Sequence, residues 1–179
     1  QLDMLLSNGP VRVIDIFGNE HGVDVDAGRH PVDLGPMPVF VESIDVALAR
    51  FRGEMSIEPD VVTSLQRVSE HDLILRNPWD RAISGHVRLV DTGKLQMSPR
   101  RMDFSIDARG ETRLPISIVF DRNALAGTQP IDTEIVLNAD DQFVIRTSTA
   151  LSVGWPEVLH RAYWRTVENP RSGDLDLVV

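Results

Sequence analysis

The sequence predicts an all-β protein built as two packed layers of antiparallel sheet. Between His71 and Val153, apolar residues recur at every second position through five or six short segments, the rhythm of strands that each bury one face. Turn residues such as Asn77-Pro78, Arg109-Gly110 and Asn138-Ala139-Asp140 separate those segments. The chain has 179 residues, 42% of them hydrophobic, enough for one real core without covalent staples.

The elements follow in order. Val11 to Phe17 is a strand halted by Gly18-Asn19, the first arm of a hairpin. A second turn at Asp26-Ala27-Gly28 precedes His30 to Leu34, and Gly35-Pro36 leads into Pro38 to Glu42. These three strands are expected to form a meander too small to stand alone. Ser43 then suits the cap of a short helix with Ile44, Ala47, Leu48 and Phe51 on one face, ended by Gly53; the alternation of Val46 and Leu48 leaves a strand open as the rival.

The main block begins near Met55-Ser56-Ile57 and continues after Glu58-Pro59 through a segment with no clear pattern. His71 to Arg76 is a strand stopped by Asn77-Pro78, since proline cannot donate to a ladder. Ile83, Gly85, Val87 and Leu89 line one face of the next, with Ser84, His86 and Arg88 opposite. Met102, Phe104 and Ile106 precede a reversal at Ala108 to Glu111, after which Leu114, Ile116, Ile118 and Phe120 point inward. Ile131 to Leu137 and Phe143 to Val153 complete the set, the last long enough to suggest a bulge or sheet switch near Thr147. The sum is an immunoglobulin-like sandwich. Beyond Gly154-Trp155-Pro156, Glu157 to Val167 reads as helical or extended. Gly173 to Val179 reads as a strand that opens another module or folds back on this one. The expected division is 1–43, a β-meander from a neighbouring domain; 44–154, the sandwich; and 155–179, a C-terminal extension.

Composition excludes several functions. With 27 acidic and 18 basic residues the net charge is -9, which opposes a grip on nucleic acid or an anionic membrane surface. The absence of cysteine removes disulfides, thiol catalysis and cysteine-ligated zinc. No apolar run approaches the ~20 residues that cross a bilayer, and Gln1-Leu2-Asp3-Met4 lacks the features of a signal peptide. Both ends read as cuts through a longer polypeptide.

No reaction is legible. Glu20, Glu42 and Glu54 fit a solvated surface better than a catalytic pair, and we assign no catalytic residue. His21, His30, His71, His86 and His160 are scattered without a nucleophile elbow or a zinc-binding spacing, and read as surface or strand-edge residues. Asp24 to Gly28 starts like a calcium loop, but its glycine comes one position early and Gly35 replaces the bidentate glutamate, so a hairpin turn fits better. A nonhelical calcium site at Asp140 and Asp141 stays open. No cofactor is expected. Aromatic rings offer the affirmative hint, because flat rings stack on the C–H faces of sugars. Trp79, Trp155, Tyr163 and Trp164 are the candidates for carbohydrate contact or domain docking. Trp79 sits between Pro78 and Asp80, where we read a plug over the end of the sandwich, with a sugar platform as the alternative.

The segment Val13-Ile14-Asp15-Ile16-Phe17-Gly18-Asn19, followed by Val32 to Val41 with Pro38-Val39-Phe40-Val41 at its end, resembles the closing strands of the small β domain after the catalytic barrel of many glycoside hydrolases. Ser56 to Gly154 is similar to immunoglobulin-like accessory modules of such enzymes, on Leu73 to Asp80, Gly85, Phe104-Ser105-Ile106, Gly110-Glu111-Thr112 and Gly127. The resemblance implies a noncatalytic accessory section of an exported polysaccharide-degrading enzyme. It would act as spacer, docking surface or glycan contact, with the upstream barrel of the same polypeptide as partner and polysaccharide as a second. An interaction or adhesion module unrelated to sugar is the alternative.

Overall fold

The computed structural model describes residues 2–26, 29–63, 68–90, 95–120, 127–154, 165–168 and 175–178. The chain opens with β1 (Leu2–Met4), then the hairpin of β2 (Val11–Asp15) and β3 (Glu20–Val23), then β4 (His30–Val32) and β5 (Val39–Glu42). The expected meander is rearranged. β2 is the centre of a three-stranded sheet ordered β3-β2-β5, whereas β4 pairs with β1, placing Leu2 opposite Val32 and Met4 opposite His30. The cause is a tight turn after Asp15 that forces Glu20 to Val23 back along β2 although that segment has no apolar alternation.

The helix exists, one cap later than expected. α1 (Val46–Gly53) is capped by Asp45, whose carboxylate accepts from the Leu48 N–H at 2.9 Å, while Ser43 holds a positive φ of 65° in the approach. Leu48 and Phe51 are buried and Ile44 is left exposed.

The sandwich follows: β6 (Ser56–Glu58), β7 (Val61–Thr63), β8 (Val68–Arg76), β9 (Ile83–Val90), β10 (Leu95–Ser98), β11 (Arg101–Ile106), β12 (Glu111–Phe120), β13 (Gly127–Asn138) and β14 (Gln142–Gly154). One sheet is ordered β10-β12-β8-β6, the other β11-β9-β13-β14-β7, with only β7 parallel to its neighbour. The all-β, immunoglobulin-like sandwich is therefore the fold. Alternate side chains of β9, β11, β12, β13 and β14 meet between the sheets, among them Val87, Ile106, Ile118, Ile135 and Ile145. The β13–β14 register runs unbroken from Gly127 opposite Val153 to Asn138 opposite Gln142, so the bulge expected near Thr147 is absent. Length alone suggested it, and a continuous twelve-residue partner removes the need. At Gly85 a Cβ would stand 2.0 Å from the Val136 carbonyl oxygen and 3.0 Å from the Phe104 ring, so only glycine admits this close strand approach. Beyond the sandwich, β15 (Arg165–Glu168) and β16 (Leu175–Val178) pair with each other, as an extended tail.

The segment before β2 packs against the sandwich through Leu5. Leu5 packs into the same cluster as Leu48, Phe51 and the sandwich interior; the Leu5 carbonyl accepts from Arg52 at 2.9 Å, and the Asp45 N–H donates to the Leu6 carbonyl at 2.8 Å.

Candidate interaction surface

Trp79 belongs to a corner of the sandwich. Asn77, buried after β8, donates its side-chain amide to the carbonyls of Arg81 (2.7 Å), Ile106 (3.2 Å) and Asp107 (2.9 Å), and its side-chain oxygen accepts from the Trp79 N–H at 2.8 Å. From the β11–β12 turn, Arg109, at a φ of 57°, donates its N–H to the Trp79 carbonyl at 3.0 Å. The indole is thus pulled inward, 7% exposed, with its ring centre 5.9 Å from that of Phe51. It is a plug against α1, and its burial removes it as a sugar platform. Trp155, Tyr163 and Trp164 lie outside the described residues.

Two histidines correct the surface reading. His30 is fully buried: its Nδ1 accepts from the Leu6 N–H at 3.1 Å, which places the proton on Nε2, donated to the Gly9 carbonyl at 2.9 Å. That ring ties β4 to the loop after β1. His71 is 3% exposed and donates from Nδ1 to the Pro59 carbonyl at 2.6 Å; its Nε2 has no partner among the described residues. His21 is exposed, His86 is half-buried, and His160 lies outside the described residues.

The acidic candidates are surface groups. Glu20 and Glu42 flank Arg12 across β3-β2-β5, with Arg12 to Glu20 at 3.0 Å. Their hydrogen bonds and charges, Glu42 first, raise the Arg12 pKa. Glu54 is exposed. Asp26 and Arg29 exchange backbone hydrogen bonds at 2.8 and 2.9 Å, the signature of a hairpin rather than a calcium loop. The Asp140 carboxylate is engaged by Arg81, and among the described residues no group of three or more acidic or histidine side chains could hold a metal.

Exposed apolar residues form the feature that sequence reasoning missed. In the β2–β3 turn, the Asp15 carboxylate accepts from the N–H groups of Phe17 (2.8 Å) and Asn19 (2.9 Å) and from the Asn19 side-chain amide (2.7 Å). These bonds, the Asn19 side chain first, hold the Asp15 carboxyl below the ordinary carboxylate range. Gly18 supplies the positive φ of 84° that the reversal needs. A turn clamped in this way presents Ile16 and Phe17, the latter 78% exposed, as a fixed tip. Because Asp15 stands opposite Val39 and Ile14 opposite Phe40, the tip adjoins Met37 and Phe40, which are also exposed. The available signal was a phenylalanine between a strand and Gly-Asn, where a turn apex has no core to enter.

No family model matches the chain, and no curated protein matches it. Among solved structures, it is similar to PapD-like domain 7 of human CEP192, at 14% identity over 56% of this chain and 84% of that one, with a TM-score of 0.35. It is also similar to the periplasmic chaperone SfaE, at 12% identity over 60% of each chain, with a TM-score of 0.39. Against WR4, an MSP family member of C. elegans, the identity is 11% over 55% of this chain and 97% of that one, with a TM-score of 0.33. Function is therefore read from the geometry.

Proposed function

We propose that the chain is a noncatalytic interaction module that docks through the apolar end of its N-terminal sheet and uses the sandwich as a rigid support. The supporting observation is where the exposed large apolar side chains lie: among the described residues, eight of eleven fall between Ile16 and Val46. Single exposed apolar residues are ordinary, whereas clustered ones mark contact surfaces. Ile16, Phe17, Met37 and Phe40 share one end of the β3-β2-β5 sheet, held by a turn whose hydrogen bonds are already satisfied. Little ordering entropy is then lost on contact.

The resemblance to glycoside hydrolase β domains supplies a partner: the catalytic barrel of the same polypeptide in an exported enzyme. The glycan-contact version of that role no longer has Trp79. A separate protein bound by an adhesion module is the competing partner.

The test compares backbone hydrogen exchange of this chain alone and joined to the polypeptide encoded immediately before it. Docking in cis slows exchange at residues 14–17 and 37–41, and Phe17→Ser with Phe40→Ser abolishes the slowing without altering the spectrum of the isolated module. Equal exchange in both forms excludes the barrel as partner. Failure of Phe17→Ser and Phe40→Ser to change any protection that is seen removes the apolar end as the docking surface.

A further inference from the structure

A cleft of about 670 Å³, within the range of small-molecule sites, is lined by residues of β9, β13 and β14, most of them on the outer face, together with Met4 and Arg52. Its three arginines stand out in a chain whose net charge is -9. The strand registers align Arg88, Glu134 and Arg146 as one row and Val90, Asp132 and Ser148 as the next. Within the first row, Glu134 is shared: one oxygen lies 3.2 Å from Arg88 and the other 3.2 Å from Arg146. Hydrogen bonds from those guanidinium groups, Arg88 first, lower the Glu134 pKa and leave this row with one net positive charge.

Arg52 is different. It projects from the last turn of α1, is half-buried, and has one partner among the described residues, the Leu5 carbonyl at 2.9 Å. No carboxylate among the described residues neutralises it; burial alone acts on its guanidinium, lowering its pKa. A desolvated cation without a counter-ion is unfavourable, and the planar guanidinium fork retains N–H groups with the geometry to receive a carboxylate. The helix C-terminus offsets part of the cost, since its dipole favours a cation, but a dipole does not fill the remaining donors. Three arginines against Asp132 and Glu134 leave the cleft with a single net positive charge. That balance attracts an anion, and the planar guanidinium fork matches the two oxygens of a carboxylate. Met4 and Val90 offer apolar contact to the rest of the ligand, and Ser148 offers a hydroxyl.

We propose that this cleft binds a small molecule bearing one carboxylate, which pairs with the Arg52 guanidinium while the uncharged body of the ligand rests over the Arg88–Glu134–Arg146 row. The site is separate from the apolar end of the N-terminal sheet, and neither reading depends on the other.

The experiment titrates the full chain with glucuronate, glucose and inorganic phosphate, followed by amide and guanidinium NMR. Glucuronate produces saturable shifts at Met4, Arg52, Val90 and residues 132–134, and glucose, which lacks the carboxylate, produces none. Arg52→Gln weakens glucuronate binding about tenfold or more, the scale of one charge-assisted hydrogen bond. Asp132→Asn, an exposed substitution that leaves the fold unchanged, removes a repelling charge and tightens it severalfold. The proposal is overturned if glucuronate causes no saturable shift, if glucose matches it, if phosphate binds this cleft more tightly, or if affinity is unchanged in Asp132→Asn. Unchanged affinity in a folded Arg52→Gln variant also overturns it.

Discussion

Asn77 shows how one side chain can organise a corner. Its amide serves three carbonyls on two different turns, and its oxygen holds the Trp79 N–H, so that β8, the approach to β9 and the β11–β12 reversal share a single buried group. Asn77→Ala strands those carbonyls beneath a buried indole, where water cannot replace the lost bonds. Urea denaturation is expected to show a loss of roughly 3 kcal/mol, whereas Asn138→Ala, at the exposed β13–β14 turn, stays near wild type. A loss below about 1 kcal/mol would mean that the corner does not depend on Asn77. At this scale the sequence was only partly informative. Asn77-Pro78 reads as a strand stop from proline chemistry, and the plug role of Trp79 follows from its position. His30 and His71 gave no such signal, because a histidine buried by backbone partners far away in sequence looks the same as a surface one.

At the scale of elements, legibility followed alternation. β9, β11, β12, β13 and β14 each place consecutive side chains on opposite faces of a half-buried sheet, and their spacing was readable residue by residue. β3 was hidden because Glu20, His21 and Gly22 are all exposed, and the three-residue β7 is too short to carry a period. β4 was visible as a strand, but its partner was not, since pairing with β1 depends on His30 gripping Leu6 and Gly9. The helix illustrates a finer limit: Ser43 and Asp45 are both favourable capping types, and only the backbone decides between them. Asp45→Ala is expected to cost about 1 kcal/mol in thermal or chemical denaturation. Ser43→Ala, lacking any cap bond to lose, should fall within about 0.5 kcal/mol of wild type. Equal losses would return the cap to Ser43.

For the whole molecule, the expected segment 1–43 meets the sandwich interior at Leu5. The resemblance of Val13 to Val41 to the closing strands of another β domain suggested that division, and how far two segments fold independently depends on the contacts that cross between them. Leu5 enters the interior beside α1, Arg52 is tied to the Leu5 carbonyl, and the Leu6 carbonyl receives the N–H of the helix-capping residue. The segment before β2 therefore acts as a strap over the helix that closes the sandwich, while the β3-β2-β5 sheet extends from it and offers its apolar end outward. Removing residues 1–43 should consequently destabilise the remainder instead of releasing an independent domain. Losing Leu5 alone uncovers part of the Leu48–Phe51 contact, a core truncation worth a few kcal/mol, so calorimetry of residues 44–179 should show melting lowered by roughly 10 °C. Hydrogen exchange should quicken first in α1 and at the Trp79 corner it packs against. Melting of 44–179 within about 2 °C of the intact chain would mean that the strap is dispensable and that two units fold separately. The shared core predicts one transition for the intact chain, with the exposed tip at Phe17 unaffected by sandwich mutations until that transition is reached.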